Sequence, residues 1–226
     1  MKETGLMFKA PLVRAILSGQ KTQTRRICKL ETVTDDTFMG GHYLKLKDGM
    51  NLAIGSEHVH IACPTGGPGD RIYVRETWAE ISRPLPLTDE SLPMRKDDRI
   101  IVYKEDPDWD GARQFLAADG CIRWAKPARW SPSIHMPKHA ARIWLEVTSA
   151  RVERLQDISE ADAIAEGITG PHHVGYPAYR VPDDSKPRYS CARAAFESLW
   201  ESTGGNWAAN PWVWVIDFKP IAHSTL

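Results

Sequence analysis

Alternation of apolar and polar residues along the chain predicts four main β-strands. We place these strands at residues 5–9, 71–78, 142–152 and 212–218. Shorter apolar groups predict weaker strands near residues 27–37, 43–46, 100–103 and 121–124. Strands outnumber helices and follow one another through short connections. This favours an α+β fold, built as a small mixed β-barrel with peripheral helices.

A first helix is predicted where apolar residues recur at helical spacing, at Leu12, Val13, Ile16 and Leu17. Pro11 suits its first turn, and Gly19 can end it because glycine readily adopts the left-handed conformation after a last turn. The polar run Gly-Gln-Lys-Thr-Gln-Thr-Arg-Arg follows directly at residues 19–26. We interpret it as a turn that meets an anionic or polar ligand, since ordering so many donors costs conformational entropy. A solvated basic loop is the alternative.

Two further helices are predicted in the last third of the chain. Asp157, with Glu160 three residues later, has the spacing of a capping box, and Gly167 closes this helix. Glu166 therefore occupies the final turn, where a carboxylate opposes the helix dipole. A last helix is predicted at residues 192–200. Its inward-facing residues are Ala195, Phe196 and Leu199.

The composition is that of a globular protein with a sizeable core, with 42% hydrophobic and 26% charged residues in 226. The formal net charge is zero, so the total charge gives no argument for nucleic acid or membranes. The formal net charge is +6 for residues 1–30 and +5 for residues 121–154, whereas it is −4 for residues 80–120. The two basic segments either form a local anion-attracting patch or pair with the acidic segment between them.

Cysteine usage and hydropathy indicate the compartment. The four cysteines, at positions 28, 63, 121 and 191, form no CxxC pair and have no regular spacing. This argues against a disulfide scaffold and favours a reducing cytoplasm. No apolar run approaches the length of a membrane span, and no apolar segment typical of a signal peptide follows Lys2. We therefore expect a cytoplasmic protein without a membrane partner.

A group of possible metal ligands occurs at His58, His60 and Cys63. In an extended strand the two histidines would share one face, as metal ligands can. Spacing supplies no fourth ligand, so we predict that these residues bind no metal.

Glu76 is unusual because it lies on the apolar side of the predicted strand 71–78. A carboxylate in that position is either paired with a buried arginine or functional, and we favour the pairing. The strand is followed by residues 79–138, a proline-rich stretch that we interpret as an insertion or a lid.

The polar run has its own candidate chemistry in Lys21 and Thr24. A hydroxyl near an amine can act as a nucleophile with its base, although the pKa of a free lysine, about 10.4, is too high for a good base. Arg25, Arg26 and partial burial would each lower this pKa. In a straight strand Lys21 and Thr24 point to opposite faces, so this chemistry requires a bend.

The run at residues 19–26 resembles the G-x-K-T-x-T-x-R signature of ASCH domains, which are PUA-like β-barrels associated with RNA. Segments 69–78, 142–168 and 212–218 agree with this family in the same order, so the resemblance covers about half of the chain. It implies a single domain over residues 1–226, with insertions at about 79–138 and 169–190. Insertions of this length resemble those of the phage and prophage members.

The small family members that the chain resembles are bacterial amidohydrolases, which remove the acetyl group from N4-acetylcytidine. The resemblance implies catalysis by Lys21, Thr24 and Glu166, without a metal or another cofactor. Lys21 would take the proton of Thr24, whose oxygen attacks the acetyl carbonyl, and Glu166 would orient the base or protonate the leaving nitrogen. The expected substrate-binding residues are Arg25, Arg26, Glu76, Trp78 and Tyr176.

Two other functions remain open at this point. The first is a reader of modified or single-stranded RNA, in which the basic run grips phosphate. The second is a metal-independent ribonuclease, in which Lys21 and Arg26 stabilise a phosphorane and Glu166 or a histidine acts as the base.

Overall fold

The computed structural model describes residues 1–35, 41–82, 99–106, 113–116, 122–171, 178–182 and 188–221. The strands in this part of the chain are β1 (Glu3–Met7), β2 (Gln23–Ile27), β3 (Thr32–Asp35), β4 (Gly41–Lys45), β5 (Asn51–Ala53), β6 (Arg71–Arg75), β7 (Trp78–Ser82), β8 (Arg99–Tyr103), β9 (Arg113–Leu116), β10 (Ile122–Ala125), β11 (Trp144–Arg154) and β12 (Trp212–Ile221). The helices are α1 (Ala10–Leu17), α2 (Glu160–Ala165) and α3 (Ala192–Ser202). Short 3-10 helices lie at Val59–Ala62, Ser133–His135, Lys138–Ala140 and Leu155–Asp157.

The main sheet has five strands in the order β1-β6-β11-β12-β2. Strand β1 runs parallel to β6, and the other neighbours are antiparallel. The four strands predicted from alternation all belong to this one sheet, and their ends differ from the prediction by up to three residues. Within the described residues the sheet is open, with β1 and β2 at its edges. The α+β class is therefore confirmed, whereas the closed barrel is not seen.

Three smaller sheets surround the main one: β3-β4-β5, β7-β8 and β9-β10. The sheets β7-β8 and β9-β10 lie in the stretch 79–138, except that β7 begins one residue earlier, at Trp78. None of their strands joins the main sheet. The described part of the predicted insertion is therefore outside the main sheet, as expected.

The core lies between the main sheet and the helices. Residues Val213, Trp214, Val215 and Ile216 are all buried in succession. Because neighbouring residues of a strand point to opposite faces, both faces of β12 must be covered. Helix α1 contributes Val13 and Ile16 to this core, and α3 contributes Ala195 and Phe196. Full burial of one such side chain stabilises the fold by about 1.5–3 kcal/mol before the entropy of ordering is counted.

The predicted strand 71–78 is interrupted after Arg75, which was not expected. Glu76 is buried there, and its backbone N–H donates to the Met136 sulfur at 3.2 Å. Arg142 donates two hydrogen bonds of 2.9 Å to the Glu76 carboxylate. The expected pairing of Glu76 with an arginine is thus confirmed, and the chain turns at this pair into the separate β7-β8 sheet.

Helix α2 begins later than predicted. Residues Leu155–Asp157 form a 3-10 helix, and Ser159 caps α2 by accepting a hydrogen bond from the Asp162 N–H at 3.0 Å. The capping box predicted from Glu160 is wrong. Its carboxylate instead accepts a 2.7 Å hydrogen bond from the Ala192 N–H at the start of α3.

Among the described residues, the basic and acidic segments pair at Glu105 and Asp106. Arg14 forms an ion pair with Glu105, and Arg142 lies 3.6 Å from Asp106. Pairing therefore accounts for part of the uneven charge distribution. In the part of the chain that the structure describes, no helix has the length and apolar character needed to cross a membrane.

Candidate functional site

The basic run is a buried strand edge and not a solvated turn. Gln23 to Ile27 form β2, which pairs with β12 through Thr24 opposite Ile216 and Arg25 opposite Val215. Four of its residues are at most 3% exposed: Lys21, Gln23, Thr24 and Arg25. The solvated-loop alternative is therefore wrong, and so is the expectation that the run forms a turn.

The backbone before β2 is held by two helices. Gly19 ends α1 with a positive φ of 73°, as predicted. The Lys21 N–H then donates to the Ala15 carbonyl at 2.9 Å, and the Thr22 N–H donates to the Ala165 carbonyl at 2.8 Å. Lys21 thus lies ahead of the strand, so the alternation that separates side chains within a strand does not apply to it.

Helix α2 ends beside Lys21. Glu166 caps this end, and Gly167 follows with a positive φ of 110°. A Cβ atom at Gly167 would make ordinary contacts of 3.5 Å with the Lys21 Cβ and 3.4 Å with the Ala15 Cβ, so the position needs glycine for its conformation. The predicted closure of the helix at Gly167 is confirmed, and it turns Glu166 inward, where only 3% of the residue is exposed.

Lys21 and Glu166 form a buried ion pair. The Lys21 Nζ donates to the Glu166 Oε2 at 2.6 Å, to the Glu166 carbonyl at 2.9 Å and to the Gln23 carbonyl at 2.7 Å. These three bonds use all the protons of the ammonium group. Burial lowers the pKa of Lys21, Glu166 opposes this effect, and Arg26 and Arg25 add to the lowering. The site therefore favours the neutral amine more than water does.

A small cavity of about 50 Å³ adjoins this pair. Its polar wall consists of Lys21, Thr24, Arg25, Arg26, Glu166 and Thr203. Its apolar wall consists of Leu12, Phe196, Leu199 and Trp200. Because β2 is an edge strand in the described structure, side chains from both of its faces can reach the cavity around its free edge. Thr24 is among the residues that line the cavity, so its side chain can meet a ligand there.

The two arginines of the cavity differ in their partners. Arg25 lies 3.3 Å from Glu153, 3.3 Å from Asp162 and 3.4 Å from Glu166, so its charge is compensated. Arg26 has no carboxylate within 4 Å among the described residues, whereas the buried Nε atoms of both arginines have no hydrogen-bond partner there. Burial lowers the pKa of Arg26, with Glu166 acting against this effect. Of the two, Arg26 is the cation that an incoming negative charge would neutralise.

Sequence reasoning missed the aromatic residue Phe8. Its ring centroid lies 5.0 Å from the Arg26 guanidinium carbon and 5.9 Å from the Lys21 Nζ. Arg26 also donates a 2.9 Å hydrogen bond to the Met7 carbonyl, so it spans from β2 to the end of β1. In the sequence Phe8 lay inside the first predicted strand, at residues 5–9, and that apolar position gave no indication of the site.

Other expected substrate residues lie elsewhere. Glu76 pairs with Arg142, and Trp78 packs against the cluster that contains Trp144. Neither belongs to the wall of the cavity. Tyr176 lies outside the described residues.

The histidines at positions 58 and 60 do not lie in an extended strand. Residues Val59–Ala62 form a 3-10 helix, so His58 and His60 do not share a strand face. The described residues contain no group of three or more His, Cys, Asp or Glu side chains arranged to hold a metal ion.

A larger cleft lies next to the cavity. It has a volume of about 300 Å³ and shares Leu12 and Leu199 with the cavity wall. Lys9, Val181 and Ser198 are among its other residues. The two spaces therefore adjoin at Leu12 and Leu199, with the charged residues in the wall of the smaller one.

Comparisons of this chain with protein-family models, with curated proteins and with solved structures gave no match. The resemblance to ASCH domains therefore stays a prediction.

Proposed function

We propose that the chain is an ASCH-type amidohydrolase, which removes the acetyl group from N4-acetylcytidine or a related N4-acylated cytosine nucleoside. One observation carries this proposal. Lys21 and Glu166, 145 positions apart, meet at 2.6 Å, and Thr24 lines the same small cavity. A nucleophile, an amine with a lowered pKa and an acid in one place are the groups that acyl transfer requires.

The proposed fold is a PUA-like barrel with an open seam. Its sheet order places β1 and β2 at the two edges, and Arg26 bridges them through the Met7 carbonyl. The cavity lies at the β2 edge of this seam. A site between two edge strands can admit a substrate without separating hydrogen-bonded strands.

The proton arrangement at the pair can support general-base catalysis. Transfer of one proton from the Lys21 Nζ to the Glu166 Oε2 gives a neutral amine and a carboxylic acid. Burial and the two neighbouring guanidinium groups favour this neutral amine. Its lone pair can then accept the proton of the Thr24 hydroxyl.

In the acylation step the Thr24 oxygen forms a bond to the acetyl carbon while its proton passes to Lys21. Arg26 stabilises the resulting oxyanion, because its charge has no carboxylate partner in the described structure. The bond between the acetyl carbon and N4 then breaks, and Glu166 gives its proton to the leaving nitrogen. Cytidine, an acetylated Thr24 and the Lys21–Glu166 ion pair remain.

In the deacylation step water attacks the ester on Thr24 and gives a proton to the Glu166 carboxylate. Lys21 returns a proton to the departing Thr24 oxygen. Acetic acid leaves and ionises in solution, and the neutral amine and protonated carboxyl are restored. The cycle consumes one water and needs no further reactant.

The sizes of the two spaces fit the two parts of the substrate, the small acetyl group and the larger cytosine ring. A cavity of about 50 Å³ accepts only a small group, whereas the neighbouring cleft of about 300 Å³ lies at the lower end of typical ligand pockets. The acetyl group would enter the polar cavity between Leu12 and Leu199. The cytosine ring would lie against the apolar wall of the cleft.

The RNA-reading and ribonuclease alternatives have less support. Both require phosphate to reach the basic run, but Lys21 and Arg25 are at most 3% exposed and are paired with carboxylates. An exposed phosphate-binding surface would leave such cations free for solvent and for the nucleic acid.

The direct experiment is incubation of the purified protein with free N4-acetylcytidine, with cytidine release followed by chromatography. The proposal expects multiple turnovers without added metal. An RNA oligonucleotide containing N4-acetylcytidine is the comparison substrate. Salt-dependent RNA binding without turnover would replace the proposal by a reader, and strand cleavage would replace it by a ribonuclease.

A further inference from the structure

A polar network lies behind the Lys21–Glu166 pair, between the main sheet and α2. Its members are Gln23, Arg25, Arg151, Glu153, Asp162 and Asp217. Strand pairing explains how four of them meet. Arg25, Val215 and Arg151 are directly opposite one another across three strands, and Gln23, Asp217 and Ser149 form the next row on the same face.

Gln23 fixes the inner part of this polar network. Its Nε2 donates to Asp162 at 3.0 Å and to Asp217 at 2.6 Å, and its Oε1 accepts a hydrogen bond from Arg25. Both ends of the amide are therefore used. Arg151 closes the outer part through a 2.6 Å bond to Glu153 and a 2.8 Å bond to Asp217.

Arg25 connects the polar network to the proposed catalytic pair. Its Nη1 lies 3.4 Å from the Glu166 Oε1, and its Nη2 lies 3.3 Å from the Asp162 Oδ2. Asp162 and Glu166 are four residues apart on α2, so they occupy neighbouring positions on one helix face. The Arg25 side chain has no exposed surface, whereas 24% of the Asp162 side chain is exposed.

We propose that Arg25 and Asp162 are positioning residues of the site. Arg25 holds one oxygen of Glu166, so that the other oxygen faces Lys21. Asp162 in turn holds Arg25 and compensates part of its charge. The effect on catalysis rests on the function proposed above, whereas the effect on the Lys21 proton does not.

The charged groups facing the pair define the expected direction of each change. Glu166 and Asp162 approach from α2, Arg25 and Arg26 from β2, and Glu153 from β11. The cavity walls from α1 and α3 contain no charged residue. Loss of the Arg25 charge therefore raises the pKa of Lys21. Loss of the Asp162 charge leaves Arg25 less compensated and lowers it.

The test compares Arg25→Gln with Asp162→Asn in two measurements. The first follows the Lys21 side-chain NMR signal with pH in protein labelled with 13C-lysine, assigned by its absence in Lys21→Arg. The second is the pH dependence of N4-acetylcytidine turnover, which falls at high pH when the last proton shared by Lys21 and Glu166 is lost and no acid remains for the leaving nitrogen. We expect the midpoints of both pH profiles to move upward in Arg25→Gln and downward in Asp162→Asn. Each displacement should be about half a pH unit or more.

Arg154→Gln is the matched control, because Arg154 lies at the end of β11 and stacks on Trp212 at 4.3 Å outside the polar network. Arg154→Gln is expected to leave the midpoint of the Lys21 titration unchanged. A merely structural role would lower stability or turnover in both test variants without opposite displacements. If Arg25→Gln does not fold, the Lys21 titration of the more exposed Asp162→Asn decides alone. A downward displacement then supports the positioning role, and an unmoved titration rejects it.

The outcomes separate this inference from the proposed function. Opposite NMR displacements without any turnover would keep the positioning role and reject the amidohydrolase. Turnover with an unmoved Lys21 titration in both variants would keep the amidohydrolase and reject the positioning role. Displacements in the same direction would also reject it.

Discussion

Two buried carboxylates, Glu166 and Glu76, meet their cations in different ways. Glu76 accepts two hydrogen bonds of 2.9 Å from the Arg142 guanidinium group. Glu166 accepts one of 2.6 Å from the Lys21 amine, and its other oxygen lies 3.4 Å from Arg25. The first pair lies where the chain leaves the main sheet after β6, whereas the second lines a cavity.

The two pairs differ in whether the cation can release a proton and in whether a ligand can reach it. A guanidinium group keeps its proton at any ordinary pH, so the pair of Glu76 and Arg142 can hold structure but cannot exchange a proton. The ring of Tyr103 also covers it, with its centroid 4.2 Å from the Arg142 guanidinium carbon. A lysine amine can lose its proton, and burial lowers the pKa of Lys21 in the wall of a cavity that Thr24 also lines. Burial of a charged pair therefore indicates function only when one partner can titrate beside an accessible space.

The largest expected effect comes from exchanging the two cations. Lys21→Arg should lower kcat about 10³-fold, since a guanidinium group cannot act as the base. Arg142→Lys should leave kcat within about threefold of the wild type, because Glu76 contacts no part of the cavity. Steady-state turnover of N4-acetylcytidine measures both. Equal losses in the two variants would remove the distinction between the pairs.

The next effect separates the two arginines of the cavity. Arg26→Gln should lower kcat/KM about 10²-fold, because it removes the one cavity cation without a carboxylate partner in the described structure. The fold should persist, since Arg26 is only partly buried and its main-chain contact is to Met7. Circular dichroism controls for folding. Unchanged kcat/KM would exclude Arg26 as the group that stabilises the oxyanion.

Removing a partner from the structural pair should lower stability most. Arg142→Met leaves the buried Glu76 carboxylate without its guanidinium group, which should cost about 3–5 kcal/mol in the free energy of unfolding at neutral pH. Arg142→Met combined with Glu76→Gln should recover much of this loss, because no buried charge then remains. Urea unfolding measures both variants. A loss below about 1 kcal/mol in the single variant would show that the pair is not a structural element.

Stability should depend on pH in opposite directions for the two pairs. Burial raises the pKa of Glu76, so its contribution is present at acid pH and is lost as pH rises through the raised value. Burial lowers the pKa of Lys21, so its contribution is present above 10.5 and is lost as pH falls through the lowered value. Unfolding free energies of Glu76→Gln and Lys21→Met, subtracted from those of the wild type across pH, should give slopes of opposite sign. Slopes of the same sign would contradict these assignments.

The smallest effect is expected at an exposed pair. Arg14 is 53% exposed and pairs with Glu105 across the surface. Arg14→Gln should change the free energy of unfolding by less than about 1 kcal/mol and leave turnover unchanged. Thermal unfolding and the turnover assay give both values. A larger loss would mean that surface pairs, and not burial, account for the effects above.

Local sequence patterns were sufficient to predict much of the framework. Alternation located the four strands that share the main sheet, and Gly19 and Gly167 marked the ends of two helices. The apolar environment of Glu76 indicated its arginine partner. Each of these predictions depends on residues that are close in sequence or on a pattern that repeats within one element.

Burial of the basic run was not predictable in the same way. Lysine and arginine are usually exposed, so their pattern alone favours a loop or a turn. Their burial depends on carboxylates from other elements, namely Glu166 and Asp162 on α2 and Glu153 on β11. Charged residues at alternate positions of otherwise apolar strands were the available signal. The start of α2 was missed for a similar reason, because Ser159 provides the cap while Glu160 serves α3.

The most direct test of the central claim is the effect of the Thr24 hydroxyl on turnover. Thr24→Val keeps the shape of this buried side chain without its hydroxyl, and Thr24→Ser keeps a hydroxyl. The account predicts that Thr24→Val reduces N4-acetylcytidine turnover to the background rate while Thr24→Ser retains measurable activity, with both proteins folded. Near-normal turnover by Thr24→Val would contradict the proposed attack by Thr24.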